Sequence, residues 1–316
     1  MRQLQFEVWQ DCNSHCDFCY LKNYPHIRTD DEFKITRLQY VIDKISDDSV
    51  IKDYDVISLI GGEFFQGQLN NQLVNKKWYE LINKLAELQR SGKIKQIWIL
   101  CSLLIGKQPD LYKTIDLIPD KSNLWIATSW DSKGRFKGKM LETWEYHMKK
   151  IHELWPEIML NTTIILTQHF ITQYLNGKIN LLDFRARFHT DIYMKPCAVA
   201  PNVSIDEVRK EKADYARIDT LFFPKRSDFQ QFLFKIKNCE PEGTFAYLFD
   251  VHRRCDDILR LAKDGITPFE QTRGKNLRIQ AETDSQINKC GHSTYYCIYS
   301  DSDACCLCDK QEIAEL

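Results

Sequence analysis

Short apolar runs alternate with amphipathic stretches over roughly the first two-thirds of the chain, and this cadence restricts the fold more than any other property. Residues 4–9 read as a first strand, 55–60 (DVISLI) as a second, 97–104 as a third and 123–130 as a fourth. Residues 158–166 and 191–194 complete a set of six. Between them lie helical patterns. Thr29-Asp30-Asp31-Glu32 has the form of a capping box, followed by Leu38, Val41, Ile42 and Ile45 on one face. Trp78, Leu81, Ile82, Leu85 and Leu88 form a second stripe, stopped by Ser91-Gly92. Leu141, Trp144, Met148, Ile151 and Trp155 form a third, ended by Pro156, and a further helix is expected near 178–187. Repeated strand-then-helix units imply an α/β fold with a parallel sheet and helices outside it. Six units fit a partial (β/α)6 TIM-like barrel better than a complete eight-fold one. With 316 residues, 43% of them apolar, the chain has material for a sizeable core.

The cadence changes near residue 200. Pro201, Pro224, Pro241 and Pro268 punctuate shorter segments, with a second capping box at 227–230, and five cysteines crowd the last 27 residues. The expected division is a barrel core at 1–200 and a small cysteine-rich C-terminal extension at 201–316. A net charge of −1 gives no non-specific grip on nucleic acid phosphates. The longest apolar run, 97–105 with only Ser102 interrupting it, is too short to span a bilayer, so no membrane partner is expected. No secretory signal pattern precedes the first strand, and twelve cysteines in such a chain suggest metal ligation or catalysis in a reducing, cytoplasmic setting.

The first strand runs into Cys12, Cys16 and Cys19, a C-x3-C-x2-C loop with one cysteine fewer than a closed site. Three thiolates can hold three irons of a cubane cluster and leave the fourth iron open, and open positions mark reactive centres. Zinc with a distant fourth ligand, or uncoordinated thiols, are the alternatives. The second strand ends in Gly61-Gly62-Glu63, where the missing Cβ atoms permit close backbone approach, or simply a tight turn. The fourth ends in Thr128-Ser129-Trp130-Asp131, whose polar side chains face a ligand or cap a helix. Asn161 is polar within the fifth strand, facing a ligand or sitting at the rim. In the tail, Cys290, Cys297, Cys305 and Cys308 give C-x6-C-x7-C-x2-C with Cys306 to spare. That run suits a second iron–sulfur cluster, zinc with His292 replacing one thiol, or unligated thiols. Cys101 reads as a small buried hydrophobe. Cys197, Cys239 and Cys255 read as core packing, or else as auxiliary ligands or hydrogen-atom donors. His147 and His152 are expected off the apolar stripe of their helix, in solvent. Walker-type and G-x-G-x-x-G phosphate loops are absent from the sequence.

These motifs, in this order, resemble the radical S-adenosylmethionine (SAM) superfamily over residues 4–200. Phe18 before the last cysteine, Gly61-Gly62-Glu63 and the Thr128–Asp131 segment carry the resemblance beside the cysteines themselves. It implies a 4Fe–4S cluster on Cys12, Cys16 and Cys19, with SAM chelated through its amine and carboxylate at the open iron. Glu63 would accept from the SAM amine, and Ser129 would meet its ribose or carboxylate, with Phe18, Gly61, Gly62 and Asp131 around them. The implied reaction is reductive cleavage of SAM to a 5′-deoxyadenosyl radical that abstracts a substrate hydrogen. Flavodoxin or ferredoxin would be the electron donor. The Thr128–Asp131 segment and the cysteine-rich tail are similar to those of peptide-modifying members, although the tail departs from their longer seven-cysteine pattern. A peptide or protein substrate is therefore expected. One alternative is a nucleotide or RNA base, its phosphates met by Arg209, Lys210, Lys212, Lys225 and Arg226, which otherwise read as a solvated helix face. Another is a non-catalytic iron–sulfur sensor.

Overall fold

The computed structural model describes residues 3–9, 11–14, 16, 29–104, 106–196, 228, 231–232, 234–236, 257–261 and 268–272. Phe18, Cys19, Cys197, Cys239, Cys255, Cys290, His292, Cys297, Cys305, Cys306 and Cys308 lie outside the described residues, as do the basic residues from Arg209 to Arg226.

The six expected strands are present as β1 (Gln3–Glu7), β2 (Val56–Ile60), β3 (Gln96–Leu100), β4 (Leu124–Trp130), β5 (Met159–Leu166) and β6 (Thr190–Pro196). They are all parallel and adjacent in sequential order. Around them run α1 (Asp31–Ser46), α2 (Asp48–Ile51), α3 (Gln72–Arg90), α4 (Pro109–Leu117), α5 (Met140–Leu154), α6 (Gln168–Leu175) and α7 (Leu181–Phe188). A sheet that never reverses its strand order, joined by right-handed crossovers, puts successive helices on one face and curls as a barrel does. Accordingly α1 packs on α3 and α3 on α4. This α/β architecture is compatible with a partial TIM-like fold. At the other edge β7 (Asp257–Leu261) pairs parallel with β1, and β8 (Pro268–Thr272) antiparallel with β7. These two strands were not expected from the sequence.

Burial explains the reading. Val56 to Leu59 are all buried, as a strand covered on both faces requires. Along α3, Val74, Trp78, Leu81, Ile82, Leu85 and Leu88 are buried at spacings of three and four, and Asn71 caps its first turn. Several details differ. Asp30, not Thr29, caps α1, accepting from Phe33 N at 2.9 Å; adjacent residues offer equivalent oxygens, and the fold selects one. β3 stops at Leu100, and the chain passes through Leu103 at φ 59° instead of continuing as strand. α4 and α6, of nine and eight residues, were not expected from the sequence. His147 is fully buried, its Nδ1 paired with the Tyr112 hydroxyl at 2.6 Å. It follows Trp144 by three residues, so it shares the helix face that packs inward. Among the described residues no helix is long and apolar enough to cross a membrane.

Candidate metal centre

The loops leaving β1 and β2 continue side by side beyond their strands. Val8 N donates to Ile60 O at 2.9 Å, Gly62 N to Trp9 O at 2.8 Å and Glu63 N to Asp11 O at 2.8 Å. A Cβ on Gly61 would lie 2.7 Å from Trp9 O, so this approach needs glycine. Trp9 anchors the pair: its Nε1 donates to Glu63 O at 2.7 Å, and its ring meets the edge of Phe64 at 5.2 Å. From α1, Arg37 Nε donates to Val8 O at 3.3 Å and Lys34 pairs with Asp11 at 2.8 Å, both cations being buried. The cysteine loop therefore starts on a braced backbone.

Buried polar groups extend the brace to β3. Glu63, 1% exposed, accepts at Oε1 from Phe64 N (2.8 Å) and Phe65 N (3.0 Å), and at Oε2 from Ser102 N. Gln66 donates from Nε2 to Ser14 Oγ at 2.6 Å and to Ser102 Oγ at 2.7 Å, while Oε1 accepts from Asn13 N at 3.2 Å. Asn13 Nδ2 returns a bond to Gln66 O at 3.0 Å. Three loops from three neighbouring strands are thus one hydrogen-bonded unit, and Cys12 sits in it with Ser14 N donating to its Sγ at 3.5 Å.

Cys16 is buried, and Arg135 Nη1, from the loop after β4, lies 3.9 Å from its Sγ. Burial pushes the Cys12 thiol up; Ser14 hydrogen bonds oppose this, the Glu63 charge adds to it and Arg135 pulls it down. Cys101 is buried, as expected, and its thiol is pushed well up by burial and by the Glu63 charge.

Of the sequence-derived site residues, Cys12, Cys16, Gly61, Gly62 and Glu63 come together at the carboxyl ends of β1 and β2. Ser129 is the penultimate residue of β4, and Asp131 follows that strand, fully buried, with Oδ2 accepting from Lys133 N at 3.0 Å. Asn161 is buried in the middle of β5. Sequence reasoning missed Ser14, Gln66, Ser102 and Arg135. For Arg135 the one available signal was a cation next to Gly134 in a loop after a strand.

The family model of a 4Fe-4S single cluster domain matches residues 2–120, from β1 to just past α4 and including all three loop cysteines. This supports an iron–sulfur protein. No curated protein matches the chain. The described residues fit such a cluster in chemistry: Cys12 and Cys16 offer thiols from the matched loop, and Arg135 Nε is a buried donor without a hydrogen-bond partner next to Cys16.

Proposed function

We propose that the chain is a radical SAM enzyme acting on a peptide or protein. The observation that supports this most is the pinning of the cysteine loop to the Gly61–Glu63 turn through Gly62 N–Trp9 O and Glu63 N–Asp11 O, inside the region matched by the 4Fe-4S family model. Cys12, Cys16 and Cys19 are the proposed ligands of the catalytic 4Fe–4S cluster. When bound, the cluster supplies the electron that cleaves SAM to methionine and a 5′-deoxyadenosyl radical.

The chain's own residues bind and orient. Gly61 lets the turn lie directly against the Trp9 carbonyl, Gly62 carries the N–H that binds it, and Phe18 precedes the last cysteine in sequence. Glu63 holds the turn in shape through three backbone N–H groups, and contact with the SAM amine would use the one remaining lone-pair site on Oε2. Ser129 and Asp131, at the end of β4, are the further proposed SAM contacts. The proposed core is 1–200, and 201–316 is the extension carrying a second iron–sulfur cluster or zinc on Cys290, Cys297, Cys305 and Cys308. A cytoplasmic flavodoxin or ferredoxin would deliver electrons. The peptide assignment rests on the resemblance of the Thr128–Asp131 segment and of the tail.

Anaerobic reconstitution with iron and sulfide, followed by dithionite and SAM, tests the reading. The expected product is 5′-deoxyadenosine, absent from a Cys12/Cys16/Cys19 triple-alanine variant. An intact cluster that yields no 5′-deoxyadenosine would instead identify a non-catalytic iron–sulfur sensor.

A further inference from the structure

The loop after β4 carries basic residues at 133, 135, 137 and 139, and they part company: Lys133, Lys137 and Lys139 are exposed, whereas Arg135 is only 8% exposed. Gly134, at φ 103°, makes the left-handed turn immediately before it. A guanidinium taken out of water needs a counter-charge. Among the described residues no carboxylate forms an ion pair with Arg135. Its Nη1 points instead at Cys16 Sγ, and its Nε is buried with no hydrogen-bond partner. Its charge also reaches the thiols of Cys12 and Cys101.

We propose that Arg135 is a positioning residue for the iron–sulfur cluster, donating one N–H to the Cys16 sulfur and supplying the buried cation that offsets the cluster's negative charge. The inference rests on the cluster assignment to Cys12, Cys16 and Cys19 and is independent of what SAM or the substrate does. A 4Fe–4S core bound by three thiolates is already anionic. Uptake of one electron from an external low-potential donor adds a further negative charge, and no covalent bond is made or broken. A fixed cation and a hydrogen bond to a ligating sulfur therefore favour the reduced form. Without them the reduction potential falls.

The test is an anaerobic redox titration of the reconstituted full chain, followed by electron paramagnetic resonance, on wild type, Arg135→Gln and Arg135→Lys, with iron and sulfide counted in each. In Arg135→Gln the cluster should be at least tenfold harder to reduce, a shift of about 59 mV to more negative potential for a one-electron couple. Arg135→Lys, which keeps the charge, should recover much of that shift. Loss of the cluster from Arg135→Gln but not from Arg135→Lys would also support the proposal, through assembly. An Arg135→Gln cluster that titrates at the wild-type potential would overturn it, and if SAM binding alone weakened, Arg135 would belong to that ligand. Two variants with unfolded apo-proteins would make Arg135 a folding residue and overturn it as well. Wild-type chain that takes up no cluster would overturn both the cluster assignment and this inference.

Discussion

The two rims of the sheet handle polar groups in opposite ways. At the carboxyl ends of β1 to β4, Glu63, Gln66, Ser102 and Arg135 are buried, and the first three bind one another's loops. At the amino ends, Lys95 pairs with Asp55 and Lys93 with Asp48 on the surface, while His152 and His189 stack beside an open hollow. Exposed pairs are screened and contribute little, but a buried group deprived of its partner is costly. The amino rim has buried polar contacts too, such as the Thr162–Thr190 hydroxyl pair at 2.9 Å, but the interlocked network that spans three loops lies at the carboxyl rim, around the cysteine loop.

Glu63→Ala should have the largest effect. It removes the acceptor of Phe64 N, Phe65 N and Ser102 N at once, in a place water does not reach. With each orphaned buried donor costing about 1–3 kcal/mol, a loss of roughly 3–5 kcal/mol in urea unfolding is expected. Glu63→Gln keeps one acceptor oxygen but turns an amide N–H toward the Ser102 donor, so it should lose about half as much. A loss below about 1 kcal/mol for the alanine variant would show that the carboxylate is not the clamp between β2 and β3.

Gly61→Ala comes next, at about 2 kcal/mol with reduced iron uptake, because its new Cβ meets the Trp9 carbonyl at 2.7 Å and the Phe64 ring at 3.2 Å. Backbone must shift to admit it, and the backbone in question leads to Cys12. Gly106→Ala, on the loop after β3 with nothing within 4 Å, is the matched control and should be nearly neutral. Equal effects at the two positions would remove the case for close approach at the β1–β2 loops.

What the sequence revealed and what it hid divide along physical lines. All six parallel strands and the faces of α1 and α3 follow from local periodicity, which each segment carries by itself; in α5 Trp144, Met148 and Ile151 are buried as expected, but Leu141 in its first turn is exposed and Trp155 lies beyond its end. The cysteine loop and Gly61–Glu63 were legible because spacing and residue type are local too. The brace was not: Asn13 and Gln66 are 53 positions apart, and Cys16 and Arg135 are separated by 119. Nothing in a run of Lys133, Arg135 and Lys137 says which cation is turned inside. The expectation that His147 lies off the apolar stripe fails because, three residues after Trp144, it shares the buried face of α5. Burial of a polar group depends on a partner, here Tyr112, that only the tertiary structure supplies.

The smallest effect is expected at the amino rim, and it depends on pH. The His152 and His189 rings stack with centroids 3.7 Å apart, inclined by 8°. Burial first, and then the charge of His189, hold the His152 imidazole below its ordinary range, with Glu153 opposing. A folded state that disfavours the proton binds fewer protons than the unfolded chain, so this contribution is complete above about pH 6.5 and is lost as pH falls through the folded value. His152→Gln removes the titrating group but keeps a flat polar side chain. Its melting temperature should match wild type near pH 7.5 and fall slightly less than wild type on acidification toward about pH 5. A neutral-pH loss comparable to that of Glu63→Ala would mean that the amino rim is bound as tightly as the carboxyl rim, and the contrast between them would fail. An unchanged acid slope would instead show that the stacked pair is solvated enough to titrate freely, and that the amino rim adds no pH-dependent stability through His152.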